Sequence, residues 1–157
     1  MQIEHYQTLT KQAVALLESE SDLIANLSNL SALLNMSLDE INWVGFYLVK
    51  SDELVLGPFQ GLPACVRIPM GKGVCGTAAA TNSVQRIADV HSFAGHIACD
   101  AQSNSEIVIP FSINGKLVGV LDIDSPTIAR FDENDQQGLV YLMKEVEKLL
   151  NSHANDE

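Results

Sequence analysis

Three cysteines, Cys65, Cys75 and Cys99, fall in the middle third of the 157-residue chain. The number is odd and no secretory leader precedes them, so a disulfide scaffold is not expected. A chain of this length buries a core without covalent staples. Reduced thiols gathered in one segment are instead candidates for chemistry. Cys65 follows Pro63-Ala64, Cys75 lies in the Gly-rich run GKGVCGT, and Cys99 lies in HIACD. The thiolate is the nucleophile, and a thiol with a pKa of about 8.5 is only a few per cent ionised at pH 7. Cys99 therefore needs a helix N-terminus, backbone amides or a histidine beside it. Any one of the three could be a buried, inert thiol. Three on loop-like segments favour an attacking and a resolving pair.

Acids supply the second constellation. Asp122 and Asp124 are two apart in VGVLDIDS, so on a strand they share a face. Glu106 joins them if the preceding strand pairs in the right register. Three carboxylates at one end of a sheet repel one another unless a cation sits there. They suit an ammonium group, with at least one carboxyl holding a proton at neutral pH. A solvated strand end is the competing reading. Trp43 and Tyr47, four apart in INWVGFYLV, also share a strand face. They could wall a pocket for a small apolar group or a cation, or simply pack a core.

Two rival motifs are weak. His91, His96 and Cys99 are close in sequence, but no Cys-x-x-Cys or other zinc spacing accompanies them. GKGVCGT lacks the Gly-Lys-Ser/Thr ending of a phosphate loop.

The elements that must position these residues are legible from periodicity. Residues 5–19 carry Tyr6, Leu9, Ala13, Leu16 and Leu17 at helical spacing. Ser21 or Asp22 can cap a second helix with Leu23, Ile24, Leu27, Leu30, Leu33 and Leu34 on one side. Residues 41–49 read as a buried strand, and 53–60 as a second one ended by Gly61 and Pro63. From Pro69 to Thr81 a loop feeds a short helix, 84–90 give another short strand, and 91–105 form a long irregular connection. Residues 106–113 and 116–124 are strands joined at Asn114-Gly115. Asp132 caps a terminal helix carrying Leu139, Leu142, Met143, Val146, Leu149 and Leu150.

The register of that hairpin decides which acids meet. A two-residue loop pairs Ile113 with Lys116 and Ile107 with Asp122, mixing apolar and acidic residues on one face. A three-residue loop with a bulge pairs Ile113 with Leu117, Ile109 with Leu121 and Ile107 with Ile123. One face is then apolar and the other sets Glu106 opposite Asp124. A one-residue slip inverts a face, so the cleaner pattern is expected, and with it the three-residue loop.

The expected class is α+β, an antiparallel sheet with helices gathered on one side. A hydrophobic fraction of 46% with 18% charged residues is ordinary globular composition. The net charge of −11 repels nucleic-acid phosphates and anionic lipid. No apolar run reaches the roughly 18 residues that span a bilayer. A cytoplasmic protein follows as an expectation, and the amphipathic terminal helices leave room for a homodimer.

INWVGFYL, LGPFQG, ACVRIP, GKGVCGTA, HIACDAQSNSEIVIP and VGVLDIDS closely resemble the free methionine-(R)-sulfoxide reductases, which are GAF-domain enzymes. The likeness runs from about residue 20 to residue 150. The block 41–125 is its most specific part, and 64–125 holds every cysteine and acid named above. The resemblance implies a single GAF domain over 1–157: a central antiparallel sheet, helices packed on one face and a loop-covered ligand pocket on the other. It implies reduction of the free amino acid's sulfoxide, R epimer, with thioredoxin as reductant and no metal or organic cofactor. Cys99 falls on the family's sulfoxide-attacking cysteine, Cys65 on its main resolving cysteine and Cys75 on an auxiliary third. Trp43 and Tyr47 fall on residues lining the pocket for the substrate's methyl end. Glu106, Asp122 and Asp124 fall on acids that hold the substrate and assist its chemistry. The alternative of another class is a GAF-type sensor that binds a small ligand without catalysis. Such domains sit beside an output domain, for which this chain has no room.

Overall fold

The computed structural model describes residues 1–97, 99 and 102–155. Helices α1 (Ile3–Leu17) and α2 (Leu23–Ser37) lead into strands β1 (Trp43–Lys50), β2 (Glu53–Gly61) and β3 (Arg67–Pro69). Helix α3 (Gly73–Thr81), strands β4 (Gln85–Ile87), β5 (Ser105–Ile113) and β6 (Lys116–Ser125) and helix α4 (Glu133–Asn155) follow. The strands form one six-stranded sheet in the order β3-β2-β1-β6-β5-β4, and every pair is antiparallel. Sequence reading did not foresee β3, and the strand expected over 84–90 shortens to β4 with a 3-10 turn at Val90–Ser92. Within HIACDAQ, Ala98, Asp100 and Ala101 lie outside the described residues.

One face of the sheet carries the main core. Val44, Phe46 and Leu48 of β1, Ile107, Ile109 and Phe111 of β5, and Leu121 and Ile123 of β6 point there. They meet Leu27, Leu30 and Leu34 of α2 and Leu139, Leu142 and Val146 of α4. Tyr6, Leu9, Ala13 and Leu17 of α1 complete the same cluster. The caps form as the sequence suggests. Asp22 accepts from the Ala25 amide at 2.9 Å, and Asp132 from the Asp135 amide at 2.9 Å.

The other face carries a smaller cluster: Trp43, Tyr47, Val108 and Val120 against Leu54, Ile68 and Val74, Cys75, Ala78 and Ala79 of α3. The three long helices thus share one face, while short α3 roofs the opposite face, where the functional candidates gather.

The β5–β6 hairpin corrects the expected turn. Ile113 pairs with Lys116 and Ser112 with Leu117, so the loop is the two residues Asn114-Gly115. Both have positive φ, 53° and 78°. That is the twist a two-residue Asn-Gly turn supplies most readily. The odd residue sits instead at a bulge, where Phe111 pairs with Gly119 and Val118 is extra. Beyond the bulge the register is the one the face pattern demanded: Ile109 opposite Leu121, Ile107 opposite Ile123, and Glu106 opposite Asp124.

Candidate active site

Sheet pairing sets the acids in two rows. Trp43 of β1 lies opposite Asp124 of β6, which lies opposite Glu106 of β5. One step along, Gly45 faces Asp122, which faces Val108. Period-two alternation turns all of these toward α3. Glu106, Asp122 and Asp124 are each buried to more than nine-tenths.

Helix α3 lowers Cys75 onto the acids. Its Sγ donates to Glu106 Oε2 at 3.8 Å. Burial pushes the Cys75 thiol up, and the charges of Asp122 and Glu106 push it further. Burial likewise holds Glu106 well above the usual carboxylate range, with Asp122 beside it adding to the effect. Asp122 is raised by burial and then by the charge of Asp124. The Asp122 Oδ1 atom is buried without a hydrogen-bond partner. An orphaned carboxylate oxygen in an apolar surround is costly, and a cationic or N–H-bearing ligand relieves that cost.

Cys75 Sγ and one oxygen each of Glu106 and Asp122 lie within 4.8 Å of one another, and no other such group occurs among the described residues. Deprotonated, they could hold a divalent ion. The upward shifts of all three oppose that, because a metal must displace their protons.

The aromatic wall stands beside the acids. Trp43 stacks on Tyr47 with centroids 5.9 Å apart and on Phe59 at 5.2 Å. Both polar tips pin the loop after β2. Trp43 Nε1 donates to the Leu62 carbonyl at 3.1 Å, and the Tyr47 hydroxyl donates to the Cys65 carbonyl at 2.8 Å. Gly61 makes room for the first bond. Its φ of +141° suits glycine, and a Cβ there would stand 2.6 Å from Trp43 Cδ1.

The pinned loop presents Cys65 to Cys99. The two form a disulfide with Cα atoms 5.3 Å apart, and Cys75 is left as a buried free thiol. Beneath lies a cavity of about 40 Å³ lined by Trp43, Tyr47, Cys75, Cys99, Glu106, Asp122 and Asp124. The structure therefore brings seven of the eight candidate residues onto one cavity, and the disulfide attaches the eighth, Cys65.

Other lining residues were not assigned to this site from sequence, His96 having been weighed only as a metal ligand. Lys72, Ile97 and Ser103 border the cavity, as does His96. Burial and then the charge of His91 lower the pKa of His96. Lys72 precedes α3, whose first turn (Gly73, Val74, Cys75) also lines the cavity. The helix's positive end thus lies beside the carboxylates. The Gly-rich run around Lys72 was the available signal; the sequence reads it as a loop that feeds a short helix and not as a phosphate loop.

Residues 28–150 match the GAF domain family model. The free methionine-R-sulfoxide reductase of Escherichia coli is 57% identical over 147 residues, covering 94% of this chain and 89% of that protein. The structure of fRMsr of Staphylococcus aureus in its reduced form is 60% identical, with a TM-score of 0.90 over 92% of this chain and 94% of that one. The free methionine-R-sulfoxide reductase of Neisseria meningitidis, solved in complex with its substrate, is 44% identical. Its TM-score is 0.91 over 97% of this chain and 92% of that chain. With the sheet, the acid-lined cavity and these relatives in hand, the chain belongs to the free methionine-R-sulfoxide reductase family of GAF-domain proteins.

Proposed function

We propose that the chain, acting as one GAF unit over 1–157, reduces free L-methionine-(R)-sulfoxide to L-methionine. The observation that carries this reading is a Cys65–Cys99 disulfide closing an acid-lined, aromatic-walled cavity. A pair of cysteines able to bond over an acid-lined recess is what a sulfoxide reductant needs. With the disulfide closed the cavity has room for a few waters rather than an amino acid. The disulfide form is then the spent form, and substrate enters after reduction.

In the reduced chain the Cys99 thiolate attacks the sulfoxide sulfur. The sulfoxide oxygen takes up a proton as its bond to the substrate sulfur breaks and it passes to Cys99 Sγ. Burial raises the proton affinity of Glu106 and Asp122, so one of these two is the group able to supply that proton. Methionine departs and Cys99 is left as a sulfenic acid. The Cys65 thiol displaces water from it, giving the disulfide. Cys75 acts in an auxiliary way, its protonated thiol holding Glu106 in place. Asp124 and the remaining carboxylate take the substrate's α-ammonium, and Trp43 with Tyr47 takes its methyl end.

The acids also account for a preference for the free amino acid. Within a polypeptide the α-nitrogen is an uncharged amide, which would leave buried carboxylates without a cation. The reductant this reading implies is thioredoxin, and the compartment is the cytoplasm. Two copies would meet through the groove between α1 and α4, lined by Val14 and the half-exposed Tyr141.

A coupled assay with thioredoxin, thioredoxin reductase and NADPH tests the reaction. Free R sulfoxide should consume NADPH, while the S epimer and an N-blocked sulfoxide should not. No consumption with any of the three, with the thiols confirmed reduced, would leave a ligand-binding GAF domain.

A further inference from the structure

The loop that carries Cys65 is apolar and faces outward. Leu62 is 53% exposed and Val66 60%. Their backbones are held in place: the Leu62 carbonyl accepts from Trp43 Nε1, and the Val66 carbonyl accepts from the Leu56 amide at 2.9 Å. Through the disulfide, Ile97 on the far side is tied to the same spot, and it too is exposed. Single exposed apolar side chains are ordinary on any surface. These surround a bond that must be broken at each turnover.

Charge sets the same region apart. From Leu54 to Ala88 the sequence has no Asp or Glu and carries Arg67, Lys72 and Arg86, although the whole chain has a net charge of −11. Arg67 pairs with Glu53 just outside this run. An attacking thiolate is an anion, and an acidic surround would repel it. The residues of the Cys65 loop add no carboxylate of their own to repel it.

The two sulfurs are placed differently. Cys99 lines the cavity, whereas Cys65 packs at its edge beside exposed Val66. We propose that Leu62 and Val66 form the docking surface for the protein dithiol that recycles the enzyme, and that this partner attacks Cys65 Sγ.

The proposal rests on the reductase reading. The partner's thiolate bonds to Cys65 Sγ as the Cys65–Cys99 bond breaks, and the electron pair leaves on Cys99 Sγ. The partner's second thiolate then breaks the mixed disulfide and releases Cys65. Two electrons pass from the partner, which ends as a disulfide, and the enzyme regains both thiols.

The test compares two reductants on the full chain. In Val66→Glu and Leu62→Glu, turnover driven by thioredoxin should lose about tenfold in kcat/KM, the size of a modest interface contact. Turnover driven by dithiothreitol, which needs no docking surface, should stay within about twofold. Thioredoxin whose resolving cysteine is changed to Ser should be trapped on Cys65, leaving Cys99 open to alkylation. Equal losses with both reductants, no loss with thioredoxin, or trapping on Cys99 would each overturn the proposal. A wild-type chain idle even with dithiothreitol would overturn the reductase reading beneath it.

Discussion

Glu106 and Asp122 are raised from ordinary carboxylate values of 4.5 and 3.8, first by burial and then by a neighbouring acid's charge. A raised folded pKa has a stability sign. Below the unfolded value both states hold the proton and nothing is lost; above it the unfolded chain ionises freely and the folded one resists. Stability therefore falls as pH climbs toward the folded value. Each unit of difference is worth about 1.4 kcal/mol. Glu106→Gln should accordingly melt higher than wild type at pH 7, with the gain vanishing near pH 4, while turnover falls by roughly 100-fold. Equal melting at both pH values would mean that Glu106 does not hold its proton. Two further substitutions separate binding from chemistry. Cys99→Ser should bind sulfoxide in a calorimeter without turning over, and multiple turnover by it would remove Cys99 as the nucleophile. Asp124→Asn should raise KM for the free amino acid about tenfold or more, as expected for a lost charged hydrogen bond.

At the level of elements, one turn of α4 locks α1. The Tyr6 hydroxyl donates to Asp135 Oδ1 at 2.6 Å. Asp135 Oδ2 accepts from Arg130 at 3.3 Å and from the Asp132 amide at 2.9 Å. Burial works against ionising Asp135, yet the Tyr6 hydroxyl and the other donors hold it below the usual range. One turn on, Gly138 has the Tyr6 ring against it, and a Cβ there would stand 2.2 Å from Tyr6 Cγ. Gly138→Ala should cost about 1–3 kcal/mol in urea unfolding through overpacking. Activity should change little, because the site is on the sheet's other face. Unchanged stability would show that α1 shifts without loss. This lock was invisible in the sequence, where nothing marks Asp135 as buried or Tyr6 as its partner. The strands and long helices were legible because their apolar stripes repeat at 2.0 and 3.6 residues. The meeting of Glu106 with Asp124 was legible too, since only one register leaves a face apolar. The bulge at Val118 was not, because a turn and a bulge can each absorb one residue. Nor was the placement of α3. GVCGTAAAT consists of small residues with no stripe, so nothing in it says which face of the sheet it covers.

Over the whole molecule, redox state and stability should be coupled. The Cys65–Cys99 bond spans 34 residues, and α3 and β4 lie inside the loop it closes. On a chain-entropy account such a closure is worth about 3–4 kcal/mol, taken from the freedom of the unfolded chain. In a protein of this size each kcal/mol moves the midpoint by roughly 2–4 °C. The oxidised chain should therefore melt on the order of 10 °C above the reduced one. Cys65→Ser should melt like reduced wild type under either condition. Cys75→Ser should keep the full difference between conditions, since Cys75 stands outside the bond. Differential scanning calorimetry with and without reductant reads all three. If the oxidised and reduced chains melt together, closing the bond costs the folded state as much as it takes from the unfolded chain. If they separate as expected, each turnover alternates a tightened, closed roof with a looser one. The looser state is then the one in which the thiols are free and the cavity must admit an amino acid.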